Sequence, residues 1–254
     1  VLRMMLPLAN ALAHAHDQGI LHQDLKPANI LIADKDQQPH LLDFNLSRDL
    51  RRNSSPTAAR IGGTLPYMAH EQLEAMLAGR RQAQAAADTR SDIYSLGVIL
   101  YQVLTRGLPF PIRTGSPGRV LRAMLSDRKP GPPAMHRSEL PVKLAPGVIA
   151  IIKKCLEPNL SQRYQSAHEL HEDLLRQLQS QPLKHAANTS PSERVAKWVR
   201  RNQIAVFASV FLLGLVFTGA VQSAIVSRRA SRLAEYEALE TLDLVKDRTR
   251  SLRY

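Results

Sequence analysis

Cysteine and aromatic residues are scarce in this sequence. Cys155 is the only cysteine among 254 residues, which excludes a disulfide scaffold and a multi-cysteine metal site. The five Phe, six Tyr and one Trp are not interleaved with Lys and Arg, so we expect no nucleic-acid partner. The formal charge is +12, and the residues after position 180 carry half of it.

The sequence also lacks recognisable termini. It begins with Val1 inside a helical pattern, without an initiator methionine or a signal peptide. It stops at Tyr254 inside another helical pattern, without a capping residue or a stop signal. We therefore expect the chain to be a fragment of a longer protein.

Hydrophobic periodicity predicts a mainly helical domain over residues 1–180. Residues 92–105 are apolar nearly all round and too short to span a bilayer, which predicts a buried central helix. Composition predicts a basic linker at 181–201. The other predictions are helices at 1–18, near 120–125, at 148–156 and at 166–179, strands at 29–33 and 39–43, and a mobile loop at 45–62.

A long uncharged run follows the predicted linker. No charged residue lies between Asn202 and Ser227. The apolar part, 204–226, would span about 34 Å as a helix, against about 30 Å of bilayer hydrocarbon. Basic residues flank both ends, and Trp198 is placed at the depth of the membrane interface. A buried helix of a soluble protein rarely runs so long without charge, so we predict a transmembrane helix followed by a helical extracytoplasmic region at 228–254.

Five short motifs occur in order along the first domain. They are I-L-H-Q-D-L-K-P-A-N-I-L-I at 20–32, D-F-N at 43–45, G-T-L-P-Y-M-A-H-E at 63–71, S-D-I-Y-S-L-G at 91–97, and C-L-E-P at 155–158 with R-Y at 163–164. In this order and at this spacing they closely resemble the eukaryotic-type (Hanks-type) protein kinase family, especially its bacterial membrane-anchored Ser/Thr members. The resemblance covers about residues 1–180 and implies the large, C-terminal lobe of a protein kinase.

The resemblance implies three catalytic residues. Asp24 is expected to accept or orient the proton of the substrate hydroxyl. Lys26 is expected to lean over the γ-phosphate of ATP, and a lysine at this position is the Ser/Thr-kinase pattern. Thr64 is expected to hydrogen-bond Asp24 and Lys26 and to help seat a substrate Ser or Thr.

The resemblance also implies residues that bind ATP and Mg²⁺. Asn29, through its amide oxygen, and Asp43, through its carboxylate, are expected to ligate magnesium, which prefers hard oxygen ligands. Leu31 is expected to form the apolar floor under adenine. Together with Lys26, these three residues form the predicted cofactor site.

Five further residues are expected to support the site without touching substrate. His22 and Phe44 resemble the packing spine of the family. Asp92 resembles the helix residue that anchors the backbone of the catalytic loop, the segment that contains Asp24, Lys26 and Asn29. Glu71 and Arg163 resemble a buried ion pair that stabilises the lobe.

The sequence departs from the family pattern at several positions. Gln23 replaces the arginine that binds a phosphate on the activation loop, which removes the basis for activation through that pocket. Asn45 replaces the glycine of the magnesium triplet, and His70 replaces a proline. Residues 72–90 are longer than usual, with an inserted helix predicted at 80–87. The chain also contains no Gly-rich loop with a following strand lysine, so we expect the N-terminal lobe, and with it the ATP clamp, to be absent.

We predict a serine/threonine protein kinase that transfers the γ-phosphate of ATP to protein Ser or Thr, tethered in the inner membrane by a single pass with the kinase side cytoplasmic. Small residues in the apolar run are compatible with a homodimer through the transmembrane helix: Gly214, Thr218 and Gly219. Two alternatives stay open: a pseudokinase scaffold, motivated by Gln23 and Asn45, and a membrane sensor or adaptor whose function lies beyond Tyr254.

Overall fold

The computed structural model describes residues 1–35, 37–44, 63–78, 88–132, 144–187 and 190–251, with side chains described as far as Arg232. The chain divides into two units, Val1–Trp198 and Val199–Tyr254. The predicted loop at 45–62, the predicted helix at 80–87 and the substitution Asn45 lie outside the described residues.

The described residues are mostly helical, which confirms the predicted fold class. Two short strands and several helices follow one another along the chain. In chain order they are α1 (Leu2–Asp17), β1 (Ile30–Ile32), β2 (Pro39–Leu41), α2 (His70–Ala78), α3 (Thr89–Thr105), α4 (Pro117–Arg128), α5 (Pro146–Cys155), α6 (Ala167–Leu178), α7 (Pro191–Arg201) and α8 (Gln203–Ser251).

The predicted hairpin is present and shorter than expected. β1 and β2 pair antiparallel, with Ile30 opposite Leu41 and Ile32 opposite Pro39. The pairing continues beyond β2 through one backbone hydrogen bond, from Leu42 N to Asn29 O at 2.9 Å. This bond brings the end of the catalytic loop next to the start of the D-F-N motif.

Helix α3 is the centre of the first unit. All ten residues from Ser91 to Leu100 are buried, as the continuous apolar run predicts. Its amino end is capped by Asp88, whose side chain accepts a hydrogen bond from Arg90 N at 2.8 Å. The core packs around it with apolar side chains from α1, α5 and α6, among them Leu8, Leu12, Ile151, Ile152, Leu170 and Leu174.

The segment after α6, predicted as part of a linker, belongs to the first unit and packs against α6. Asp173, which is fully buried, accepts hydrogen bonds from the backbone amides of Lys184 at 2.7 Å and Ala186 at 2.7 Å. It also accepts one from the Tyr164 hydroxyl at 2.9 Å. A carboxylate with this many donors holds residues 184–186 against α6.

The second unit contains the long apolar helix. Within α8, the stretch Gln203–Arg232 is long and apolar enough to cross a membrane, and its side chains are not buried inside the protein. The run predicted at 204–226 lies inside it. The helix continues to Ser251, in line with the helical pattern of residues 228–254.

Candidate active site

The catalytic loop brings Asp24, Lys26 and Thr64 together. Lys26 Nζ lies 2.8 Å from Asp24 Oδ2 and donates a hydrogen bond to Thr64 Oγ1 at 3.1 Å. Thr64 is 38 residues later in the chain than Lys26, so the contact depends on the fold. The Asp24 and Lys26 side chains are 30% and 22% exposed, which leaves both accessible from solvent.

Asn29 closes the loop from the other side. It ends the short 3-10 turn Pro27–Asn29 and is buried. Its amide Nδ2 donates to the backbone oxygen of Asp24 at 2.8 Å and lies 3.4 Å from Asp24 Oδ2. Because the amide nitrogen faces Asp24, Oδ1 is the atom of this side chain that can ligate a cation.

Asp43 reaches the same region through the hairpin. It follows Leu42, whose backbone N–H binds Asn29 O, and it adopts a left-handed backbone with φ of 62°. An aspartate tolerates this conformation better than most residues do. Its side chain is exposed. Amide and carboxylate oxygens from Asn29 and Asp43 are the donor set that magnesium prefers, so the residues present fit the ion.

Leu31 is separate from this polar cluster. It occupies the middle of β1, opposite His40 in the register, and its side chain is 52% exposed. Exposure of so large an apolar side chain is consistent with a surface that receives a ligand or another protein element. Leu31 follows Asn29 by two residues, and its apolar side chain takes no part in the hydrogen bonds of Asp24 and Lys26.

Asp92 fixes the backbone of the catalytic loop, as expected from the motif. Its carboxylate accepts hydrogen bonds from the backbone N–H of His22 at 2.9 Å and of Gln23 at 2.8 Å. Gln23 has a left-handed backbone with φ of 63°, so these bonds stabilise an unfavourable turn. Sequence reasoning missed a third partner: His16 Nε2 lies 2.9 Å from Asp92 Oδ2. His16 lies on the apolar face of α1, and a polar side chain on that face was the available signal that it has a buried partner.

His22 and Phe44 pack together below the site. Their ring centroids are 4.9 Å apart, with a tilt of 54°. The imidazole Nε2 of His22 is 2.9 Å from the backbone oxygen of Leu42. The pair joins the catalytic loop to the D-F-N motif and confirms the packing role expected for both residues.

Glu71 and Arg163 form the expected buried ion pair. Arg163 is fully buried, and its Nη1 lies 2.8 Å from Glu71 Oε1. It also donates to the backbone oxygens of Arg90 and Glu157. Burial alone would raise the pKa of the Glu71 carboxyl, but the hydrogen bonds and charge of Arg163, with a hydrogen bond from Ser91, hold that pKa below its ordinary value.

Arg128 is a second buried arginine, and sequence reasoning did not single it out. It lies at the end of α4 and donates to the backbone oxygens of Leu65 at 3.3 Å, Pro66 at 3.0 Å and Met68 at 3.2 Å. Its guanidinium also lies 5.0 Å from the Phe110 ring centre. These bonds fasten the segment that directly follows Thr64. A lone arginine in a polar stretch carries no sequence signal for this role.

Among the residues that the structure describes, no three His, Cys, Asp or Glu side chains are grouped so that they could hold a metal ion by themselves. Asn29 and Asp43 alone would leave positions on a magnesium ion for phosphate and water oxygens, which this ion commonly binds.

Comparison with known proteins places the sequence in a family. Residues 1–175 match the model of the protein kinase domain. The chain is 35% identical over 179 residues to the serine/threonine-protein kinase pkn2 of Myxococcus xanthus, covering 68% of this chain and 20% of that protein. It is 35% identical over 168 residues to PknB of Mycolicibacterium smegmatis (65% and 24%) and 33% over 189 residues to PknB of Mycobacterium tuberculosis (73% and 27%), both serine/threonine-protein kinases. The chain thus spans 20–27% of the length of these relatives.

Proposed function

Because this chain belongs to the protein kinase domain family, we propose that it supplies the catalytic loop of a serine/threonine protein kinase, which transfers the γ-phosphate of ATP to protein Ser or Thr. The observation that carries the proposal is the contact of Lys26 Nζ with both Asp24 and Thr64. In phosphoryl transfer a protein mainly positions the reactants and stabilises charge. In this cluster Asp24 serves the first task and Lys26 the second.

Asp24 is the residue that orients the substrate hydroxyl in this proposal. Its Oδ2 is held by Lys26 and approached by Asn29, which fixes the plane of the carboxylate. The exposed part of the side chain can then accept a hydrogen bond from the hydroxyl of a substrate Ser or Thr and take its proton.

Lys26 supplies positive charge at the place where the transferred phosphate must arrive. Its ammonium is held at Asp24 and Thr64, so it does not need to reorganise during the reaction. Thr64 links this charge to the segment 65–68, which Arg128 holds in place. We propose that this segment seats the substrate residue.

Asn29 and Asp43 would hold Mg²⁺. When bound, this ion neutralises charge on the phosphates of ATP. The hydrogen bond from Asn29 Nδ2 to Asp24 O keeps the amide oxygen directed away from the loop backbone. Leu31, exposed on β1, supplies an apolar surface for the adenine ring.

The long helix α8 would tether the kinase in the inner membrane as a single pass, with the first unit in the cytoplasm. The uncharged stretch inside Gln203–Arg232 supports insertion. ATP and Mg²⁺ are cytoplasmic, which supports the orientation. Gly214, Thr218 and Gly219 are small enough to allow close contact between two such helices in a homodimer.

Two substitutions test the assignment in a protein that carries a Gly-rich loop and strand lysine ahead of Val1. Asp43→Ala should abolish label transfer from γ-labelled ATP to Ser and Thr, because it removes a carboxylate ligand. Gln23→Arg should retain transfer, since the contacts of Gln23 with Asp92 and Gln72 use backbone atoms. Transfer that survives Asp43→Ala would contradict the site. Residues 1–254 alone should transfer no label, because they contain no Gly-rich loop and strand lysine.

A further inference from the structure

Helix α7 has two faces with different surroundings. Its residues Glu193 and Lys197, one turn apart, face α5 and α6, and Lys197 is only 5% exposed. On the outward face, Val195 is 62% and Trp198 52% exposed. A helix that buries charged residues and exposes apolar ones is inverted relative to an ordinary surface helix.

The inward face is fixed by Glu193. Its Oε2 accepts a hydrogen bond from Gly147 N at 2.6 Å, in the first turn of α5. Gln177 on α6 donates to Glu193 Oε1 at 3.1 Å. A carboxylate at the amino end of a helix is favoured by the helix dipole and by the unpaired amides of the first turn.

Lys197 completes the inward face. Its Nζ lies 3.2 Å from Glu193 Oε1, 2.7 Å from Gln177 Oε1 and 2.9 Å from the backbone oxygen of Gln181. A lysine held by three oxygen atoms and buried in this way is not available to a membrane surface. The charged pair Glu193 and Lys197 therefore holds α7 against α5 and α6.

The outward face is apolar and is bordered by arginines. Val195, Trp198 and Val199 follow one another at spacings of three and one, so they lie on the same side of the helix. Arg194 and Arg200 are exposed on α7, and Arg201 is its last residue. Trp, Val and Arg in this arrangement are typical of a helix that lies at a membrane interface.

We propose that α7 is an interfacial adaptor: its inward face is fastened to the kinase unit, and its outward face binds the surface of a bilayer that contains anionic phospholipids. The inference rests on the proposed insertion of α8. Two observations select a lipid surface as the occupant. The arginines complement anionic headgroups, and the candidate membrane span begins at Gln203, directly after the residue that follows α7.

The single tryptophan of the chain allows a direct test. The full chain is reconstituted in phosphatidylcholine–phosphatidylglycerol vesicles, and Trp198 fluorescence is quenched with iodide from water or with lipids brominated near the headgroup. The proposal predicts a blue-shifted emission and strong quenching by the brominated lipid. Quenching by iodide should be severalfold weaker in vesicles than for the same chain unfolded in denaturant. Iodide quenching as strong as in denaturant would overturn it.

Two labelled positions on α7 test which side of the helix contacts the bilayer. In a Cys155→Ala background, an environment-sensitive fluorophore is attached to a cysteine at Val195→Cys or at Ala196→Cys. Both positions are exposed and adjacent in sequence, but they lie about 100° apart around the helix. The label at 195 should enter an apolar environment with vesicles, and the label at 196 should remain in water. Equal responses of the two labels would contradict the proposal.

Lipid charge provides the last control. Arg200→Ala with Arg201→Ala should weaken the dependence of Trp198 quenching on phosphatidylglycerol, whereas Arg119→Ala with Arg122→Ala on α4 should not. Equal effects of the two pairs would overturn the assignment to anionic lipid. Alkaline carbonate distinguishes the failures: extraction of the chain would overturn both the insertion of α8 and this inference, whereas a resistant chain with Trp198 in water would overturn the inference alone.

Discussion

Arg163 and Arg128 are buried in the first unit, and each is stabilised by a different kind of acceptor. Arg163 has a carboxylate partner, Glu71, in addition to two backbone oxygens. Arg128 is held by backbone oxygens, three of them from residues 65, 66 and 68. Burying such a charge costs little free energy only while every N–H donor has an acceptor. Substitutions next to either arginine should therefore destabilise the first unit.

Arg163→Ala should destabilise the first unit by about 3–5 kcal/mol, because it leaves Glu71 buried without its partner. Urea unfolding followed by circular dichroism measures the change. Arg113→Ala is the matched control: its partner Asp127 forms an ion pair of the same type, but the Arg113 side chain is 43% exposed. That control should change stability by less than about 1 kcal/mol. Equal midpoints for wild type and Arg163→Ala would show that the pair does not support the fold.

The same pair predicts a dependence on pH. The folded-state pKa of Glu71 lies below its ordinary value of 4.5. The stability contributed by its charged form is therefore complete above about pH 4.5 and is lost as the pH falls through the folded-state pKa. The difference in unfolding free energy between wild type and Arg163→Ala should shrink below that pH. A difference that grows on acidification would contradict this sign.

At the scale of elements, α3 and α5 pack closely against each other at a glycine. Gly97 of α3 faces Cys155 of α5, and a Cβ at position 97 would overlap the Cβ of Cys155. The helices can approach this closely because position 97 has no side chain. This contact holds the central helix, which carries Asp92, against the rest of the core.

Gly97→Ala should therefore destabilise the protein by about 1–3 kcal/mol, although alanine is the better helix former by about 1 kcal/mol. Gly107→Ala is the control, since a Cβ there meets no atom within 4 Å. Thermal unfolding of the two variants measures the difference. If Gly97→Ala melted at or above the wild-type temperature, the close approach of α3 and α5 would be refuted.

The sequence predicts elements better than it predicts contacts between them. The apolar run of α3 and the strands β1 and β2 are local patterns, and the structure has them within a few residues of the predicted bounds. The binding of Glu193 to Gly147 joins residues 46 positions apart, and no local pattern indicates it. The same holds for Asp173, whose burial by the amides of 184–186 appears only once α6 is packed.

The candidate site follows the same division. The family resemblance predicts Asp24, Lys26 and Asn29 as site residues. Their interruption of an apolar run, without helical or strand periodicity, argues against a purely structural role. Arg128 could not be found in this way, since its acceptors are backbone oxygens, which are present in every residue. Asp92 also acts through backbone groups, but it lies in one of the five motifs, whereas Arg128 lies in none of them.

At the scale of the whole molecule, the proposed function joins a kinase unit to a membrane helix. Basic residues flank the apolar stretch nearly equally: Arg194, Lys197, Arg200 and Arg201 on one side and Arg228, Arg229 and Arg232 on the other. This balance is too even to orient the helix by charge. Orientation therefore has to be measured.

Ser251→Cys tests the orientation in intact cells with a membrane-impermeant maleimide. The proposal predicts labelling before lysis, because residue 251 would lie outside the cytoplasm. Ser126→Cys, exposed on α4, should react only after lysis. Native Cys155 is fully buried and burial raises the pKa of its thiol, so it should react poorly, and Cys155→Ser removes the remaining background. Labelling of residue 251 only after lysis would place residues 126 and 251 both in the cytoplasm and would contradict the proposed orientation.

The central claim is that Asp24 and its partners perform phosphoryl transfer. The most direct measurement compares Asp24→Asn with the unsubstituted chain, each preceded by a small lobe, in transfer of label from γ-labelled ATP to Ser and Thr. Both proteins must first melt at the same temperature and bind a fluorescent ATP analogue equally. The account predicts labelled phosphoserine or phosphothreonine and a loss of about 10²–10⁴-fold in rate for Asp24→Asn. A folded protein that binds ATP and transfers no phosphate, or a transfer rate unchanged by Asp24→Asn, would contradict it.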